Sequence, residues 1–314
     1  MYRTGPPPAA AGRGAGATGP HGALPRISRA ERKVFDGFSQ AAFDPLLRVF
    51  LADLVRPYGL ALREDLLREG AGHSYGEMAD PLVRAAVADG EPVDLVVLAF
   101  AIHDIRLGRA TALYLSDACP GEPMAFALCD QGNAGAFTAL RLVGEFTRGG
   151  TCRRCVLVVV EQSALHYRPA GPAPVPDRHA AVALLFDDSG PAGLGPARQH
   201  AAVPPDQVGA LLAADVAELS GGRQDVTLVL GAGLAGLGVP RLVDQVVSAP
   251  AGQPFTGPWW ELAGGLPGWA DRGGLVLLAD HDPQLGYLCL STMDFGLSRP
   301  AAARQAARPG RAAP

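Results

Sequence analysis

Short apolar runs alternate along this chain with stretches of helical spacing, the pattern of an α/β protein. The clearest unit begins at Met124 to Cys129, an apolar run that stops where Asp130, Gln131 and Gly132 make a sharp turn. Asn133 is placed to cap a helix, since its side-chain oxygen can accept from an N–H one turn in. Ala134 to Arg148 contain few breakers, and Gly149-Gly150 supply the stop. Along that helix Ala136, Leu140 and Val143 share one face while Ala139, Leu142 and Phe146 share another, so it is apolar nearly all round and predicted to be buried. Cys155 to Val160 is a continuous, mostly β-branched run, suited to a strand covered on both faces.

The same order occurs twice. Pro81 to Ala99 reads helix, short loop, Asp94, apolar strand; Val208 to Leu230 reads helix, short loop, Asp225, apolar strand. An internal echo of this kind predicts an architecture of two similar halves. Leu275 to Ala279 and Gly286 to Leu290 form a predicted hairpin around His281-Asp282-Pro283-Gln284. Phe35 to Glu69 is helical in pattern. Residues 1–30 are rich in Pro, Gly and Ala with no Asp or Glu, and residues 299–314 are rich in Ala, Pro and Arg; both read as disordered tails. The folded part divides into a first half, 31–190, and a second, 191–298.

Composition narrows the functional classes. With 314 residues, 48% of them apolar, the chain can bury a sizeable core. A formal charge of −4 and the absence of a basic run argue against nucleic acid. No stretch approaches the roughly 18 apolar residues of a membrane span, and the N-terminal tail lacks the apolar segment of a secretion signal. Five cysteines, an odd number, fit free thiols in a reducing cytoplasm.

A nucleophile at the strand-to-helix turn of Asp130–Asn133 would sit beside backbone N–H donors and the positive end of a helix, which suit an anionic acyl-transfer intermediate. Here the residues resemble the ketoacyl synthase III branch of the thiolase-like superfamily, whose strand runs into a Gln-x-Cys-Ala turn followed by a helix with an Ala-Leu pair. Gln131-Gly132-Asn133-Ala134-Gly135-Ala136-Phe137-Thr138-Ala139-Leu140 follows that pattern. Asp94 to Ala101 and Arg109 to Pro120 are similar to the family's preceding strand and helix. The likeness covers roughly residues 80 to 190 and extends more loosely beyond. It implies a five-layered α-β-α-β-α fold from two pseudo-symmetric halves, with an N-terminal strand that the helical pattern of Phe35 to Glu69 does not provide.

The resemblance also places Asn133 where the family carries its nucleophilic cysteine. The family's histidine follows the second repeat strand, where this chain has Gly231-Ala232-Gly233-Leu234, and its asparagine comes from a later turn, although Asn133 is the only asparagine here. All three catalytic positions are therefore substituted. An asparagine cannot form the thioester that Claisen condensation needs. Cys129, four residues earlier, is the alternative thiol, but it lies on the strand side of the turn, away from the helix terminus that lowers a thiol pKa. Among groups at strand ends, His103 beside Asp104 is a candidate general base, and Glu161 a candidate base or a structural hydrogen-bonding group.

Other motifs are weaker. Gly231-x-Gly233-x-x-Gly236 after an apolar strand matches a dinucleotide fingerprint, but Gly238 and Pro240 interrupt the helix it needs. Cys152-Arg-Arg-Cys155 has metal-clip spacing without a second pair. Trp259, Trp260 and Trp269 could line an acyl pocket or anchor a partner, with core packing the default. No cofactor or metal is expected.

Two readings follow. In the first, the chain is a non-elongating, degenerate subunit that pairs, as homodimer or heterodimer, with an active ketosynthase of fatty-acid-like or polyketide natural-product biosynthesis, Met124 to Cys129 lying near the seam. In the second, it is a repurposed acyltransferase acting on acyl-CoA or acyl-carrier-protein thioesters without a covalent intermediate. Nucleotide binding through Gly231 to Gly236 is a third, minor expectation.

Overall fold

The structure is a computed structural model and describes residues 24–106, 108, 110–171, 173–238 and 243–296. Most of both predicted tails, together with Arg109 and Pro240, lie outside the described residues.

The first half contains β1 (Arg26–Phe35), α1 (Pro45–Val55), α2 (Glu64–Glu69), α3 (Tyr75–Ala86), β2 (Leu95–Ala99), α4 (Thr111–Ser116), β3 (Met124–Leu128), α5 (Ala134–Arg148), β4 (Cys155–Glu161) and β5 (His179–Asp187). The second contains β6 (Ala192–His200), α6 (Val208–Ser220), β7 (Val226–Leu230), β8 (Gln245–Ser248), α7 (Gly257–Arg272), β9 (Leu275–Asp282) and β10 (Tyr287–Asp294).

The strands are ordered β3-β2-β4-β5-β1 and then β6-β10-β9-β7-β8, so each half repeats the order of the other about the junction. β2 is parallel to β3 and β4, and β4 is antiparallel to β5; β7 is parallel to β8 and β9, and β9 is antiparallel to β10. Among the described residues, the strands of the two five-stranded halves pair through Arg26↔Gly193 and Ile27↔Ala192.

Burial explains the layers. β2 and β4 are buried along their whole length, as continuous apolar runs require. One face, carrying Val96, Leu98, Val156 and Val158, packs under α3 and α4; the other, carrying Leu95, Val97, Leu157 and Val159, packs on α5 and α7. Those two helices meet Val276, Leu278 and Cys289 of the second half on their far side, and α6 covers the outer face of that half through Leu212 and Val216. The result is the five-layered α-β-α-β-α arrangement. Burying Phe137, Leu140, Trp259 and Leu262 in the central layer contributes about 1.5–3 kcal/mol per large side chain. Trp259 and Trp269 belong to this core, while Trp260 is half-buried under the Arg32 guanidinium at 4.7 Å.

One boundary needs correction. β1 begins at Arg26, inside the stretch read as tail, and supplies the N-terminal strand that seemed missing. Its alternation is hidden by a register shift between Ile27 and Arg29, and Ile27 is its only fully buried residue. Charged side chains such as Arg29 and Arg32 reach Asp89 and Trp260, so an interior strand carries a polar sequence.

Candidate functional site

The site forms where β3 turns into α5. Asp130 adopts φ +60° and Gly132 φ +49°, a left-handed pair that reverses the chain within three residues. Asp tolerates this region and glycine enters it freely. Gly132 has a second reason to lack a side chain, since a Cβ would stand 1.9 Å from Asp282 Oδ2.

Asn133 does not cap the helix as expected. It is helical itself, at φ −62°, and its side chain makes no capping hydrogen bond. The side chain instead lies beside the buried carboxyl of Asp280, and its backbone N–H donates to Asp282 Oδ2 at 3.0 Å. The start of α5 is therefore occupied by two acidic residues from the end of β9.

Neither aspartate was recognised as a site residue in the sequence. Asp282 accepts further from the N–H groups of Gln284 and Leu285 at 3.0 and 2.9 Å. Asp280 is pushed up to about 8 by burial, although it accepts from the His281 N–H at 2.8 Å and from Gly233. The available signal was Asp280-His281-Asp282 closing an apolar strand that is buried to its last residue. Three ionisable side chains at that place are costly without a purpose or a partner.

Glu161 occupies the equivalent place in the other half. It ends β4, is 2% exposed, accepts from the Phe255 N–H at 2.9 Å and hydrogen-bonds the Thr256 hydroxyl at the start of α7. Burial pushes its carboxyl up to about 7, against the hydrogen bonds that pull it down. Each half thus sends a carboxylate from its third parallel strand to the N-terminus of the other half's buried helix, where the helix dipole favours negative charge.

Asn133 and Glu161 line one cavity of about 200 Å³, with Asp282 beside them and Tyr167, Phe255 and Leu285 forming part of the wall. His103 is not brought to it. It is 46% exposed, 3.9 Å from Asp130 Oδ1, in a neighbouring groove with Leu54, Tyr58 and Tyr167. Asp104 turns inward, accepting from the Tyr75 N–H and the Thr111 hydroxyl, so the acid beside His103 is the exposed Asp130 instead of its sequence neighbour. Cys129 also stays outside the cavity. Its thiol faces Asp130 at 3.3 Å and is pushed up to about 11 by burial and by that carboxylate. It has no low-pKa environment.

The comparisons bear on this arrangement. No protein-family description matches the chain, and no curated protein is significantly similar. Solved structures do match. The 3-oxoacyl-(acyl carrier protein) synthase III FabH of Pseudomonas aeruginosa PAO1 superposes with a TM-score of 0.60 at 18% identity, over 88% of this chain and 100% of that one. The fold is thiolase-like. The tetronic acid condensing enzyme AbyA1 matches at TM-score 0.60 and 19% identity, covering 86% and 99% of the two chains. The acyltransferase ChlB3 matches at 0.57 and 17%, covering 88% and 99%.

Within the thiolase-like fold, the Gly231–Gly236 segment reads differently from a nucleotide fingerprint. A Cβ on Gly231 would lie 2.0 Å from Asp280 Oδ1 and one on Gly233 1.8 Å from the His281 carbonyl oxygen. The glycines make room for this chain's own β9, and only a three-residue turn of helix, Ala232–Leu234, follows the strand. Among the described residues no group of three His, Cys, Asp or Glu side chains converges as a metal site, and no helix is long and apolar enough to cross a membrane.

Proposed function

We propose that the chain is a non-elongating ketoacyl synthase III-like subunit that pairs with an active ketosynthase in fatty-acid-like or polyketide natural-product biosynthesis. The observation that carries this reading is the Asn133 N–H bound to Asp282. Acyl transfer at a helix start needs a nucleophile and free N–H donors for the developing oxyanion. Asn133 offers no nucleophile, and the donor beside it is taken by a carboxylate that would repel an oxyanion. The cavity is also small, below the roughly 300–1,000 Å³ of sites for drug-sized ligands.

β3 is the edge at which such pairing is expected. It pairs with β2 on one side only, and Met124 and Ala127 are exposed on it. An open edge strand is a template for another chain. The proposed partner is a ketosynthase with an intact cysteine, served by acyl-CoA or an acyl carrier protein.

Intact-mass measurement after incubation with acyl-CoA and acyl-carrier-protein thioesters is the first test, and no adduct is expected. A stable adduct on Cys129 or any other cysteine overturns the reading. Co-expression with a ketosynthase encoded beside it should give a complex on size exclusion that the double variant Met124→Lys, Ala127→Lys dissolves.

A second reading rests on Glu161. A buried carboxyl near 7 that lines the cavity suits a general base at neutral pH, which an acyltransferase working without a covalent intermediate would need. His103 stands outside that cavity, so in this reading Glu161 acts without it. Turnover of an acyl thioester that Glu161→Gln abolishes, with no adduct in the wild type, would favour this second reading over the first.

A further inference from the structure

The cavity at the start of α5 has an unusual polar balance. Among the described residues its lining includes two carboxyl side chains, Glu161 and Asp282, and no lysine or arginine. Four of its residues, Pro169, Pro174, Pro176 and Pro254, have no backbone N–H to offer. The donors nearest the carboxylates are already engaged, with the N–H groups of Asn133, Gln284 and Leu285 on Asp282 and the Phe255 N–H and Thr256 hydroxyl on Glu161. A carboxylate keeps about four acceptor positions, so both acids retain capacity that these bonds do not fill. Apolar surface from Tyr167, Phe255 and Leu285 completes the wall.

A ligand that presents an oxygen, such as a thioester carbonyl, a carboxylate or a phosphate, would find only neutral donors, the Tyr167 hydroxyl and the Gln284 amide, beside two carboxyl groups that repel it. A ligand that presents N–H groups and positive charge meets two carboxylates and two aromatic rings, the combination that recognises ammonium.

We propose that this cavity binds a small primary amine, its ammonium group held by Glu161 and Asp282 and its hydrocarbon body against Tyr167, Phe255 and the prolines. The volume of about 200 Å³ restricts the amine to a short alkyl or single-ring body. This inference concerns what the cavity holds and does not rest on either functional reading above.

Calorimetric titration of the full chain with hexylamine, 1-hexanol and hexanoate tests it, because the three share one hydrocarbon body. Hexylamine is expected to bind at least tenfold more tightly than either of the others. Glu161→Gln should weaken hexylamine at least fivefold. Val175 is 38% exposed at the edge of the cavity, so Val175→Lys brings in a competing cation without disturbing the interior and should weaken hexylamine similarly if the buried variant does not fold. Binding of hexylamine no tighter than that of hexanol or hexanoate, no binding of hexylamine at millimolar concentration, or an unchanged affinity in Val175→Lys would each overturn the assignment.

Discussion

The backbone N–H of Asn133 points at Asp282 Oδ2, 3.0 Å away and 149 positions later in the chain. One half of the molecule thereby closes the helix terminus on which the other half would build an acyl-transfer site. Glu161 makes the reciprocal contact with Phe255 at the start of α7. The two contacts hold the central layer together and occupy its helix ends, so stability and chemistry meet at the same atoms.

Removing the Asp282 carboxyl should be costly. Asp282→Ala leaves the N–H groups of Asn133, Gln284 and Leu285 without this acceptor, and a loss on the order of 3 kcal/mol is expected in urea unfolding. Asp282→Asn keeps one carbonyl oxygen and should lose less. Equal stability of Asp282→Ala and wild type would refute the role given to this contact.

The raised carboxyls make stability depend on pH in a defined direction. Glu161 rises from 4.5 to about 7 on folding and Asp280 from 3.8 to about 8, so the folded chain binds more protons than the unfolded one between these limits. The stability tied to Glu161 is fully present below about 4.5 and is lost as pH rises through about 7. Glu161→Gln does not titrate, so its stability relative to wild type should improve between pH 4.5 and 8. The gain is on the order of 3 kcal/mol, at about 1.4 kcal/mol per pKa unit. Paired denaturant titrations at pH 5 and pH 8 measure it, and a difference that does not change with pH would count against a raised Glu161.

A cysteine placed at position 133 should be a poor nucleophile. In Asn133→Cys the new thiol would lie beside the Asp282 carboxylate, whose negative charge raises a thiol pKa. Iodoacetamide labelling at pH 7.5 is expected to be slow, and at least several-fold faster in the double variant Asn133→Cys, Asp282→Asn. Fast labelling of the single variant would show that Asp282 does not suppress the site.

The glycine motif after β7 is a packing device. Gly233→Ala drives a Cβ against the His281 carbonyl oxygen, a backbone atom that cannot step aside, and should cost about 1–3 kcal/mol in thermal or denaturant unfolding. Added NAD or ATP should leave the wild-type melting temperature unchanged; a nucleotide-dependent rise would revive the dinucleotide reading.

The sequence by itself determined the elements whose environment is uniform. Cys155–Glu161 is buried along its whole length and Ala134–Arg148 everywhere but on the face of Arg141, Glu145 and Arg148, so a local run of apolar residues carries most of their pattern, and the repeated helix-Asp-strand order marked the two halves. β1 escaped because its arginines find partners in distant segments, which no local periodicity records. Asn133 stood out in the sequence because its neighbours resemble a linear motif. Its partners were not legible: Asp280 and Asp282 lie in another half of the chain, and only the packing of the two halves about α5 and α7 brings them to it. The same packing separated His103 from Glu161, which both stand at strand ends in the sequence. Linear order fixes which residues share a strand or a helix face, whereas burial, pKa and free hydrogen-bonding capacity are set by neighbours that only the folded chain supplies.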